Sequence, residues 1–67
     1  MTRYMIRAEN EQQFQKAKDL LTGQVRLFVV SDRRLFLSAG DVPNGLQDAL
    51  RANGLKVRVE HPVFSPG

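Results

Sequence analysis

The chain has 67 residues, 42% of them hydrophobic and 25% charged, a balance that suits one small globular domain and excludes a disordered chain. It has no cysteine and a single histidine, His61, so a disulfide framework, a thiolate metal site and any site needing two histidines are excluded. Ten Lys and Arg against seven Asp and Glu give a net charge of +3, which is compatible with an anionic partner.

A domain of this size buries only about 60% of the surface that its unfolded chain exposes, so its stability is expected to be marginal unless a partner or a second copy covers more of it. Arg7 stands where a secretory signal would need its apolar stretch. The longest apolar run, Leu27-Phe28-Val29-Val30, falls far short of the roughly 20 residues that span a bilayer. The expectation is a cytoplasmic protein with no membrane association. No internal repeat or low-complexity tract is visible.

The first segment, Arg3 to Ala8, alternates. Tyr4, Ile6 and Ala8 share one face and Arg3, Met5 and Arg7 the other, the period of a half-buried strand. Asn10 with Gln13 three residues later is a loose capping box. Beyond it Phe14, Ala17, Leu20 and Leu21 recur at helical spacing, with Glu9 and Glu11 near the positive end of the helix dipole. Gly23 is expected to end this helix.

Gln24 to Val30 and Leu35 to Ala39 are rich in β-branched, aromatic and aliphatic residues. Ser31-Asp32-Arg33 between them supplies turn chemistry, so the pair reads as a β-hairpin. Gly40 to Gly45 forms a loop before a second helix whose apolar stripe is Leu46, Ala49 and Leu50. Asn53-Gly54 closes that helix, and Leu55 is placed to pack back on it. A last strand follows, with Leu55, Val57 and Val59 inward and Lys56, Arg58 and Glu60 outward. The chain therefore reads as one domain over residues 1–61, with an irregular tail over 62–67 that carries Pro62 and Pro66.

The order β-α-β-β-α-β points to an α+β, ferredoxin-like split βαβ. Such a fold has a four-stranded antiparallel sheet, both helices on one face, and strands one and three in the centre. Placing the more aliphatic parity under the helices sends Val25, Leu27, Val29, Leu35, Leu37 and Ala39 inward along with the residues already assigned there. The opposite face then carries Arg3, Met5 and Arg7; Arg26, Phe28 and Val30; Arg34, Phe36 and Ser38; and Lys56, Arg58 and Glu60. Six of the ten basic residues share that face with one acid.

Cations neutralise phosphates with release of counterions, and flat rings stack on unpaired bases for roughly 1–3 kcal/mol each. The expected function is therefore a small, non-catalytic regulatory protein that contacts nucleic acid, RNA or single-stranded DNA, through this face. Its candidate site is Arg3, Arg7, Arg26, Phe28, Arg34, Phe36, Lys56 and Arg58. The alternative is a protein-interaction module, an inhibitor or adaptor of the kind phage and mobile elements encode, meeting an acidic protein surface, or an obligate homodimer, through the same face or an edge strand. The plainest reading is a solvated face whose charges discourage edge aggregation. The aromatic half depends on register: an odd hairpin loop keeps Phe28 and Phe36 on one face, and an even loop sends one ring into the core.

The order of elements resembles the RNA-recognition motif, whose central strands bind RNA with aromatic residues. That family has a Lys or Arg, Gly, aromatic, small, aromatic pattern on strand three where this chain has Arg34-Leu35-Phe36-Leu37-Ser38, and Met5 stands where strand one would carry an aromatic. Of its binding residues only Phe36 is carried over. The stretch from Arg34 to Leu37, with Ala49-Leu50-Arg51-Ala52-Asn53-Gly54-Leu55-Lys56-Val57, also resembles the second half of a SPOR peptidoglycan-binding repeat, over about half the chain. Ala8-Glu9-Asn10 departs from that family's Gly-Ser-Phe after strand one, and no residue is carried over from it.

No enzyme is expected. His61 has no nucleophile and orienting acid placed beside it by the sequence. Gly40 and Gly45 bracket a loop before a helix, but Leu46 stands where a phosphate-binding loop has its lysine. No pair of acids has the spacing of a metal or acid–base site, so neither cofactor nor metal is implied.

Overall fold

The structure, a computed structural model, describes residues 1–60. The expectations for His61 and for the tail lie outside the described residues. Six elements follow in order: β1 (Arg3–Arg7), α1 (Glu11–Leu21), β2 (Arg26–Ser31), β3 (Phe36–Gly40), α2 (Asn44–Ala52) and β4 (Lys56–Glu60). The strands form one antiparallel sheet in the order β2-β3-β1-β4. This is the ferredoxin-like α+β arrangement that the alternation and helical spacing anticipate.

Local chemistry sets the helix ends. The Asn10 side chain accepts a hydrogen bond from the Gln13 backbone N–H at 2.9 Å, and the Gln13 side chain accepts from the Glu9 N–H at 2.9 Å. The second helix begins earlier than its apolar stripe suggests: Pro43 is its N-cap, and Asn44 and Gly45 form its first turn. No side chain caps the N–H groups of its first turn; buried Gln47 instead donates to the Val42 carbonyl at 2.8 Å and ties the helix to the loop before it. At its other end Gly54 adopts φ +85°, the Gly54 N–H donates to the Arg51 carbonyl and the Leu55 N–H to the Leu50 carbonyl, each at 3.0 Å. That Schellman closure swings Leu55 back into the core.

Phe14, Ala17 and Leu21 from α1 and Leu50 from α2 pack with Ile6, Leu37 and Ala39 of the sheet, with Ala8, Val42 and Leu55 closing the edges of the cluster. Tyr4, Leu27 and Val57 are partly buried against it. A reciprocal clamp extends the β1–β3 pairing: the Asp41 N–H donates to the Thr2 carbonyl at 2.8 Å, and the Asp41 carboxylate accepts from the Thr2 N–H at 3.0 Å.

Two face assignments in β2 are corrected, Val29 expected inward and Val30 expected outward. The hairpin turn holds four residues, Asp32 to Leu35, because Ser31 pairs with Phe36. The register then shifts between Leu27 and Val29, so that Val29 lies opposite Ser38 and Val30 opposite Leu37. The extra residue reverses the parity of both valines, sending Val29 to the outer face and Val30 toward the helices. Val59, opposite Tyr4, has the expected parity but stays 41% exposed on the edge strand.

A domain of this length has only about 3–10 kcal/mol of stability in all, at ~0.05–0.15 kcal/mol per residue. Leu37→Ala, at a fully buried position on a central strand, is expected to cost about 2–5 kcal/mol and leave much of the protein unfolded. Val59→Ala should stay within about 0.5 kcal/mol. Urea unfolding followed by circular dichroism checks both.

Candidate nucleic-acid interface

Strand pairing lays the outer face out as three rows running across β2, β3, β1 and β4. The first row is Ser31, Phe36, Arg7 and Lys56. The second is Val29, Ser38, Met5 and Arg58, and the third is Arg26, Gly40, Arg3 and Glu60. Neighbours within a row are about 4.8 Å apart and successive rows about 6.7 Å apart, from the general spacing of strands. Arg3, Arg7, Arg26, Lys56 and Arg58 are all exposed.

Arg34 is the exception among the expected site residues. Leu35 adopts φ +54°, which places it and Arg34 in the turn and starts β3 at Phe36. The Arg34 N–H donates to the Ser31 hydroxyl at 3.3 Å, and its side chain is exposed at the tip of the hairpin instead of on the sheet. The left-handed Leu35 is held by two contacts: its side chain packs on the core, and its carbonyl accepts from the Ala8 N–H at 2.9 Å. Five basic residues therefore remain on the outer face with one acid, Glu60.

Both rings are on that face. A four-residue turn alone would set Phe28 opposite Ala39, beneath the helices. The bulge turns it out, and the ring settles across Gly40, where a Cβ would lie 2.8 Å from the Phe28 Cε2 and 3.1 Å from the Met1 sulfur. The Arg3 guanidinium lies over the ring, 4.5 Å from its centroid, a cation–π contact. Phe28 and Phe36 are half-buried, because the Arg3 and Arg7 stems and their strand neighbours flank them.

The concave part of the face is a hollow of about 220 Å³ lined by Met5, Arg7, Phe36, Lys56 and Arg58. Its walls carry three cations and no acid, around an apolar floor of Met5 and Phe36. Among the described residues the one salt bridge, Lys18 to Asp32 at 3.2 Å, ties α1 to the hairpin turn on another part of the molecule, and these three cations form none. A larger concavity runs along Glu11, Gln12, Gln15, Lys16 and Asp19 of α1, but it is a solvent-facing stretch of one helix with both signs of charge. Among the described residues no group of acids and histidines could hold a metal ion, and no helix is long and apolar enough to cross a membrane.

Neither a family model, a curated protein nor a solved structure matches the chain. The functional reading therefore stands on the geometry of this face. Sequence reasoning placed Met5 on the face but outside the site; its place beside Phe36 comes from the β1–β3 register, which pairs Met5 with Ser38 and Arg7 with Phe36. Gly40, a loop residue by its sequence context, is the last residue of β3, and its role as the seat of Phe28 has no local sequence signal.

Gly40→Ala is expected to displace the Phe28 ring and cost about 1–3 kcal/mol, the range for overpacking. Adding Phe28→Leu should recover most of that loss, and a double-mutant cycle by urea unfolding measures the coupling.

Proposed function

We propose that the outer sheet face binds single-stranded nucleic acid, RNA or DNA, and that the protein acts by binding and not by catalysis. The observation that carries this reading is the hollow: Arg7, Lys56 and Arg58, none of them in a salt bridge among the described residues, surround the half-buried Phe36. Cations so placed gain by releasing counterions from a phosphodiester backbone. A ring set among them offers stacking to an unpaired base, which a duplex keeps inside its own stack. Arg3 and Arg26 extend the positive surface across the third row. Arg34, at the hairpin tip, adds charge at its margin.

A second reading, a protein-interaction module or homodimer, is favoured by the β2 edge. There the longest apolar run of the chain ends at the sheet boundary, with Val29 and Val30 each 46% exposed. Such an edge can pair with another strand. A sedimentation mass well above 7.6 kDa at micromolar concentration would favour self-association, and a monomeric mass would count against a homodimer.

Under the first reading, replacing Arg7 and Arg58 together by Ala removes two phosphate contacts. The slope of log affinity against log salt should fall by about 1.4, at ~0.7 per single-strand contact, with affinity down about tenfold or more near 50 mM salt. Arg51→Ala, on the exposed side of α2, should leave the slope unchanged. Fluorescence anisotropy with labelled oligonucleotides measures both, and an unchanged slope in the double variant overturns the assignment.

A further inference from the structure

We infer that the face has one base subsite, over Phe36, and that Phe28 does not stack on a base but holds Arg3 in position; this deepens, and rests on, the reading of the face as a nucleic-acid surface. The two rings share the face yet differ in what surrounds them. The Phe28 ring lies across Gly40 on the sheet side, and the Arg3 guanidinium covers it 4.5 Å from the centroid. A base reaches that ring only by displacing the cation, which forfeits a contact that positions a phosphate-binding group. Phe28 is thus a positioning residue.

Phe36 is different. Among the described residues no cation covers its ring, and it opens into the hollow beside Met5, with Arg7 directly across in the same row and Lys56 one strand further on. The hollow, about 220 Å³, is smaller than the roughly 300–1,000 Å³ of pockets for drug-sized ligands. It suits a single planar ring. Lys56 and Arg58 lie two residues apart on β4, so their charges line one side of the hollow, where the phosphates flanking that base would run. The ligand class is one nucleotide unit of a single strand, its base on Phe36 and its phosphates toward Arg7, Lys56 and Arg58.

The two rings should answer differently to the same pair of probes: a short labelled oligothymidylate, and its abasic counterpart with the same number of phosphates. Phe36→Leu should weaken binding of the oligothymidylate roughly tenfold, the scale of one lost stacking contact, and leave the abasic strand unchanged. Phe28→Leu should weaken both strands by one and the same factor, as Arg3→Ala does, and the double variant should be no worse than either single one. A Phe28→Leu variant that loses preference for the base-bearing strand, or a Phe36→Leu variant that keeps it, overturns the inference. Wild-type protein that binds neither strand removes the base subsite together with the functional reading. The Arg3–Phe28 contact is decided separately in the free protein, where ring current should shift the Arg3 side-chain protons upfield in wild type and Phe36→Leu, but not in Phe28→Leu. Unshifted Arg3 protons in the wild type overturn the positioning role.

Discussion

One extra residue in an edge strand decides which side chains this protein shows to its surroundings. Side chains alternate along a strand, so a four-residue turn after Ser31 would carry Phe28 under the helices, where Leu37 and Ala39 are already fully buried. The bulge between Leu27 and Val29 absorbs that mismatch. It lets Leu27 and Val30 face the helices while Phe28 and Val29 both face out. Gly40, lacking a side chain, gives the displaced ring a place to lie, and Arg3 closes over it. The core on one side and the candidate interface on the other are thus two consequences of a single register.

Charge follows the same division. The acids collect in the helices and loops, where Glu11 sits in the first turn of α1 and Asp41 clamps the start of β1. Five cations occupy the strands of the open face with Glu60 at one corner. The two sheet edges differ as well. β4 alternates Lys56, Arg58 and Glu60 with its valines, which discourages pairing with another strand, whereas β2 relies on its bulge and on Arg26 to blunt a run of apolar residues.

Most of the fold was legible because its signals are local: alternation in β1 and β4, the Asn10–Gln13 cap, and the Gly54 closure that returns Leu55 to the core. The short connections then leave few topologies to choose from. What was not legible depends on pairing between distant residues. Ser31-Asp32-Arg33 looked like the turn, but Leu35 accepts a left-handed backbone because its side chain packs on the core and its carbonyl meets the Ala8 N–H. That moved Arg34 off the sheet. The bulge, the exchange of Val29 and Val30, and the seat offered by Gly40 are likewise tertiary events with no signature in their own neighbourhood. The shared face of Phe28 and Phe36 came out as the odd-loop register implied, although by an even loop and a compensating bulge.

The most direct test of the central claim is a titration of the isotope-labelled protein with a short single-stranded oligonucleotide at low salt, followed by its backbone amide spectrum. The account predicts shifts that saturate and concentrate on β1, β3 and β4 around Met5, Arg7, Phe36, Lys56 and Arg58, with α1 and α2 little changed. Shifts confined to the helices, or none at low salt, where phosphate contacts are strongest, would contradict it.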